Sequence, residues 1–236
     1  RAYEYQSSGP TGLTHAMTIQ MGAGRTIDAG DINQDGRDDI VIGQPAPTEA
    51  APAYGGTTGG QITVKLGQNY GLYYRGHTTT ISQTTPNVPG ESEDGDAMGT
   101  SVALHDLNGD KTLDIISGLP GKDSTVNGVT SADAGSVLLL NLATTPDGIT
   151  LQGATSLSQG TGGIGGGGEP GDRLGTAVTA GNFTGTGTTG LVLGASGENN
   201  GDGTAIYRPA TGTTSFLGKG IAGTPTGSGL GSVLRS

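Results

Sequence analysis

The sequence predicts an all-β chain assembled from repeated four-stranded units. Three observations predict it: a repeat at near-constant period, short apolar runs with no helix-length 3.6-residue periodicity, and glycines that punctuate those runs. Of 236 residues, 48 are Gly and 11 are Pro, a level that signals low-complexity disorder unless a period organises it. A period does so here. Placed in register, Gly24, Gly99, Gly175 and Gly231 stand 75, 76 and 56 residues apart. The second and third copies align without a gap at an offset of 76. Ile81-Ser82-Gln83 meets Leu157-Ser158-Gln159, Glu93 and Asp96 meet Glu169 and Asp172, and Gly118 meets Gly194. Each copy is one supersecondary unit, and neighbours stack to share a core.

The elements of a copy follow in order. A first strand is predicted over 25–29, 100–104 and 176–180, where apolar and small residues mix over about five positions. A second is predicted at Ile40-Val41-Ile42, Ile115-Ile116 and Leu191-Val192-Leu193, compact apolar runs each closed by a Gly. Runs at 61–66, 136–140 and 204–207, each preceded by Gly, predict a third. Turns at Gly71-Leu72 and Gly148-Ile149 introduce a fourth over 78–81 and 154–157. Four short strands per repeat is the signature of a β-propeller blade. The segments expected are the end of a blade over 1–20, three blades over 21–95, 96–171 and 172–227, and a ring-closing strand over 228–236.

Composition excludes several classes. No run approaches the ~20 apolar residues of a membrane-spanning helix. With no Cys there is no disulfide framework, thiolate metal site or cysteine nucleophile. A net charge of -10 argues against a nucleic-acid partner, whose phosphates call for Lys and Arg. The opening residues, Arg-Ala-Tyr-Glu-Tyr, do not read as a secretion signal.

Between the first and second strands lie the most informative residues. Asp31, Asn33, Asp35 and Asp39 put side-chain oxygens at positions 1, 3, 5 and 9 of a tight loop, with the carbonyl of Arg37 available at position 7. Asp106, Asn108, Asp110, Thr112 and Asp114 repeat the pattern. Three carboxylates and an amide oxygen converging in this way suit calcium, which takes six to eight oxygens in loose geometry. Without a cation, neighbouring carboxylates raise one another's pKa. An EF-hand is excluded: position 12 is Ile42 or Ser117 rather than Glu, and strands rather than helices flank the loop. At the same offsets the third copy reads Asn182, Thr184, Thr186, Thr188 and Gly190, with no carboxylate, and is expected to bind no calcium. Two calcium ions are therefore expected.

A small or apolar residue with Gly, then the D-x-N-x-D loop, an apolar strand and Gly-x-Pro (Gly43-Gln44-Pro45, Gly118-Leu119-Pro120) resembles the FG-GAP repeat. That repeat builds the seven-bladed propeller of integrin α subunits and of many secreted bacterial proteins. The segments 85–99 and 135–140 are most similar to secreted actinobacterial members. The resemblance runs along nearly the whole chain. It departs where Ala23, Met98, Leu174 and Leu230 stand at the usual Phe position, and where Ser196 replaces Pro in the third copy.

What the resemblance implies is a division between two faces. Calcium loops are structural on the lower face, and ligands bind the upper face through loops at 44–59, 119–134, 195–202, 84–97 and 160–173. Polar or aromatic groups available there include Glu49, Tyr54, Lys122, Asp123, Glu198 and Asn199. The length is about half a seven-blade ring, so another chain or a segment N-terminal to this one is expected to complete it. Catalysis finds little support. His15, His77 and His105 share no register, no Gly-x-Ser-x-Gly elbow occurs, and the run Gly165–Gly168 lacks a following Lys-Ser/Thr. The expected role is a non-catalytic, secreted, calcium-stabilised module binding a glycan or protein in a lectin- or adhesin-like way. The alternative is a targeting or scaffold domain of a larger secreted enzyme or toxin.

Overall fold

A computed structural model describes residues 2–7, 13–19, 24–46, 58–67, 78–145 and 148–234, the first two segments and Ile221 as backbone only. Strands β1 (Ala2–Ser7) and β2 (Leu13–Ile19) form an antiparallel hairpin with a bulge between Glu4 and Tyr5. Three four-stranded antiparallel sheets follow. The first is a meander of β3 (Thr26–Gly30), β4 (Asp39–Gln44), β5 (Gln61–Lys65) and β6 (Thr78–Ile81). The second comprises β7 (Ser101–His105), β8 (Asp114–Leu119), β11 (Ser136–Thr145) and β12 (Gly148–Leu157). A small hairpin, β9 (Ser124–Val126) and β10 (Val129–Ser131), is inserted between β8 and β11. The third sheet orders β13 (Leu174–Gly181), β14 (Gly190–Ala195), β15 (Thr204–Arg208) and β16 (Ser215–Gly218). The two helices among the described residues, α1 (Glu198–Gly201) and α2 (Lys219–Ala222), are single turns. The fold is all-β, in blade-like four-stranded sheets.

Some elements differ from expectation. Strands β11 and β12 run ten residues each, and Gly148, expected in a turn, pairs with Thr145 inside the sheet. The β9–β10 hairpin turns on Asn127 and Gly128, with φ of 52° and 79°, the left-handed pair that a two-residue hairpin loop requires. In the third copy β16 was not anticipated. Phe216 and Leu217 carry it, and their sheet partners are Ile206 and Ala205. The predicted turn at Gly71-Leu72 lies outside the described residues.

The sheets stack through two apolar layers. Val41, Ile62 and Val64 of the first sheet meet Ile115, Leu138 and Leu140 of the second. Ile116 and Val137, on the other face of the second sheet, meet Val178, Leu193 and Ile206 of the third. Successive residues of a strand point to opposite faces, so Ile115 and Ile116 enter different layers, and both have no exposed surface. This explains why the second strand of each copy reads as a continuous apolar run rather than an alternating one. Burying each such side chain contributes about 1.5–3 kcal/mol.

Backbone contacts lock neighbouring sheets at a fixed place. Single parallel bridges join Gly60 to Met98, Gly135 to Leu174 and Gly203 to Leu230. Beside each bridge two motif glycines touch: Gly43 with Gly99, Gly118 with Gly175, and Gly194 with Gly231. Met98 and Leu174, which stand at the usual Phe position, are fully buried in these junctions; Ala23 lies outside the described residues.

Meander topology sorts the loops to two ends. The β3–β4, β7–β8 and β13–β14 loops share one end with the segments that follow β5 and β11. At the other end lie the β4–β5, β8–β11 and β14–β15 loops, with the β6–β7 and β12–β13 connections.

Candidate metal centres

In the first acidic loop the oxygens meet the loop's own backbone. Asp31 accepts from the N–H groups of Asp35 at 3.0 Å and Gly36 at 2.9 Å. Asn33 Oδ1 accepts from Asp35 N at 3.1 Å, and Asp35 Oδ1 accepts from Arg37 N at 3.0 Å. The second loop repeats this. Asp106 accepts from Gly109 and Lys111, Asn108 Oδ1 from Asp110 N, and Asp110 Oδ1 from Thr112 N. Nested Asx turns of this kind hold positions 1, 3 and 5 on one side of the loop.

Position 9 is buried and reaches further along the chain. Asp39 has no exposed surface, and its two oxygens accept from Ile32 N at 2.8 Å and Gly67 N at 2.7 Å. Asp114, equally buried, accepts from Leu107 N at 3.1 Å and Leu142 N at 2.9 Å. Each aspartate closes its own loop and ties it to the sheet's third strand, just past the end of β5 at Gly67 and within β11 at Leu142. Burial, ahead of any neighbouring charge, raises the pKa of both carboxyls. Asp35 adds to the rise at Asp39, and Asp110 and Asp106 add to it at Asp114. The expected repulsion between carboxylates is therefore present at position 9 as the smaller cause.

The third loop keeps the shape by other means. A ladder of hydroxyls, Thr184 to Thr186 at 2.7 Å and Thr186 to Thr188 at 3.0 Å, replaces the carboxylates. Gly190 stands at position 9, and the ring of Tyr207 from the third strand lies over it. Phe183 meets that ring edge-on at 6.1 Å.

The donor set fits a hard cation in chemistry. Asp31, Asn33, Asp35 and Asp39, with the Arg37 carbonyl, would hold one, and Asp106, Asn108, Asp110 and Asp114, with the Thr112 carbonyl, a second. Each of these oxygens that accepts a single N–H retains a lone pair. Among the described residues no three His, Cys, Asp or Glu side chains converge as a ready-formed centre. In the first loop Asn33 Nδ2 and Arg37 Nη1 both lie 3.3 Å from Asp35 Oδ2, so filling the loop requires those donors to turn away. His105 ends β7, with Nδ1 3.1 Å from the Asp106 carbonyl oxygen. The His15 side chain and His77 lie outside the described residues.

At the opposite end, the repeated acids shape loops. Asp96 accepts from Glu93 N at 2.8 Å and Asp172 from Glu169 N at 2.7 Å. Lys122 Nζ reaches the Glu91 carbonyl oxygen at 2.7 Å, Glu93 at 2.6 Å and Asp96 at 3.1 Å. Glu198 accepts from Gln159 Nε2 at 2.7 Å and from Asn199 Nδ2 at 3.4 Å. Asp123 accepts from Asp133 N at 2.9 Å across the base of the inserted hairpin. Glu49 and Tyr54 lie outside the described residues. Sequence reading missed Gln159 and the pairing of Lys122 with the acids; the offset of 76 was the signal that relates them to Gln83 and Glu198.

Burial pushes the Asp172 carboxyl up to about 6, and the nearby Glu198 and Glu169 add to the rise. The folded state thus holds a proton that the unfolded chain gives up near the ordinary Asp pKa. The contribution of this group to stability is therefore largest at low pH, falls as pH rises from about 4 to about 6, and is flat above. Asp172→Asn retains an acceptor for Glu169 N and removes the titration. Its melting temperature should fall less than that of the parent chain between pH 4 and 6.5; parallel curves would show that Asp172 does not titrate there.

Residues 23–64 match the FG-GAP repeat family. The match takes in β3, the Asp31 loop, β4 and most of β5. No curated protein matches the chain.

Proposed function

We propose that this chain is part of a calcium-stabilised extracellular β-propeller that binds a glycan or protein ligand and catalyses no reaction itself. The FG-GAP repeat at 23–64 supports the architecture, and the integrin-like and secreted actinobacterial character belongs to the same proposal. One observation carries the reading. Two loops with identical carboxylate spacing lie at one end of the sheets, while the β8–β11 and β14–β15 loops and the β6–β7 and β12–β13 connections collect at the other. Metal sites repeated in register serve a scaffold, and loops at the far end of a rigid scaffold serve recognition. Modest-affinity oxygen sites fill at the millimolar calcium of extracellular fluids.

A second reading has its own observation. The third sheet leaves Phe183, Phe216 and Leu217 exposed at 48%, 39% and 44%, around a hollow of about 400 Å³ that Tyr207 also lines. At the other end of the array Ile27 is 61% exposed, although its register partner Val178 is 6% exposed against the preceding sheet. Both faces suit a further blade, from another chain or another segment, and favour a targeting or scaffold domain within a larger secreted assembly.

Binding of the protein to a glycan and cell-wall panel, with calcium and with a chelator, tests the main reading. Calcium-dependent binding to a defined sugar or protein is expected. Absence of any ligand, with no effect of calcium on stability, would overturn it.

A further inference from the structure

The two acidic loops are alike in backbone and unlike at one carboxylate oxygen. At position 5 the backbone takes the first oxygen of both: Arg37 N donates to Asp35 Oδ1 at 3.0 Å, and Thr112 N to Asp110 Oδ1 at 2.7 Å. The second oxygen faces side chains. Asn33 Nδ2 donates to Asp35 Oδ2 at 3.3 Å, and Asn108 Nδ2 to Asp110 Oδ2 at 3.0 Å. Only the first loop adds a cation at that oxygen, with Arg37 Nη1 3.3 Å from Asp35 Oδ2. In the second loop the residue at the place of Arg37 is Thr112, neutral and buried. That loop has its own cation, Lys111 at position 6, but Lys111 is exposed and forms no ion pair among the described residues.

The remaining charges do not reproduce this difference. Asp38 at position 8 is matched by Leu113, so the first loop carries Asp31, Asp35, Asp38 and Asp39 against Asp106, Asp110 and Asp114 in the second. On carboxylates alone the first loop is the stronger cation trap, and Arg37 opposes it. The guanidinium also shows that Asp35 Oδ2 accommodates a positive charge, at the oxygen of position 5 that the loop's backbone does not use. A metal taking that oxygen has to turn the guanidinium away. With side chains 39% and 31% exposed, Arg37 and Asp35 form a surface pair, and pairs of this kind shift an equilibrium by a factor of about 1.5 to 5.

We propose that Arg37 is an internal competitor of calcium at the first loop, its guanidinium contesting Asp35 Oδ2 with the metal and so setting the calcium affinity of that site. The inference rests on the calcium role proposed above and concerns how that site is tuned. Arg37 has two opposed parts. Its backbone carbonyl is the expected position-7 donor, while its side chain competes for the position-5 donor. Replacing the side chain therefore leaves every expected donor of the site in place.

Calorimetric titration with calcium tests this one loop at a time. In the Asp110→Ala protein, whose remaining site is the first loop, one ion should bind, and adding Arg37→Gln should tighten it about threefold to fivefold. The mirror experiment starts from Asp35→Ala, whose remaining site is the second loop, and adds Lys111→Gln. The same charge is lost there without a carboxylate contact, and Kd should change less than about 1.5-fold. Equal tightening in the two pairs would show a cation acting through space and would overturn the competition. In chelator Arg37→Gln should melt at or slightly below the temperature of the parent, while its calcium-induced rise at subsaturating calcium grows. A variant that loses stability in chelator and also loses the calcium response would mark Arg37 as a structural residue and overturn the inference. One ion bound with equal affinity with and without Arg37 would overturn this inference alone, whereas no ion bound in either protein would overturn the calcium role beneath it.

Discussion

Calcium should raise the melting temperature of this protein, and Asp35→Ala and Asp110→Ala should each remove about half of the rise. A ligand that binds only the folded state stabilises it by RT ln(1 + [L]/Kd), about 2.7 kcal/mol per site when calcium stands a hundredfold above Kd. For a chain of this size that corresponds to roughly 5–10 °C per site. Asp35 and Asp110 are suitable targets because both are exposed and each accepts one backbone N–H, from Arg37 and Thr112 respectively. In chelator, therefore, either substitution costs only about 1 kcal/mol. Thr186→Ala, in the loop with no carboxylate, should leave the calcium response unchanged. Calorimetry counting the bound ions should give two in wild type, one in each Asp variant and two in Thr186→Ala. Equal losses from all three loops would contradict the assignment.

The largest effect of a single methyl group is expected at Gly118. A Cβ there would overlap the carbonyl of Gly175 and the Ser101 hydroxyl, which itself donates to that carbonyl at 2.8 Å. The obstacle is backbone of the neighbouring sheet, so a rotamer change cannot relieve it; the sheets must part along the layer that holds Ile116 and Val178. Overpacking of this kind costs 1–3 kcal/mol and occasionally more, and the rigid obstacle places Gly118→Ala at about 3 kcal/mol or beyond. The melting temperature should drop by roughly 6–12 °C. Gly153→Ala, in β12, meets no atom within 4 Å and serves as the control. Similar losses in both variants would mean that the cost lies in the strands rather than in the junction.

Much of the architecture was legible because the physics behind it is local. Short runs such as Ile40-Val41-Ile42 become strands wherever they fall, and the glycines that recur at offsets of 75 and 76 mark the turns and the close approaches between sheets. The aspartates at positions 1, 3 and 5 were legible for the same reason: their partners are backbone N–H groups two to five residues away. Strand β16 was not, because Ser215–Gly218 is too short and mixed to declare itself, and its partner β15 aligns Phe216 with Ile206.

Position 9 shows the boundary between the two levels. The spacing identified Asp39 and Asp114 as carboxylates aimed at their loops. Only tertiary structure decided that their second oxygens would be taken by Gly67 and Leu142, 28 residues further on. The charge reversal between Lys122 and Glu198 follows the same division. Both residues could be read from the sequence, but their partners Glu93 and Gln159 lie 29 and 39 residues away, brought into reach by the stacking of sheets. By itself, the sequence determined the strands, the turns and the loops that close on their own backbone, since those depend on neighbours in the chain. Tertiary structure decided which buried charges meet a counter-charge, because that depends on which sheets stack and on what they remove from water.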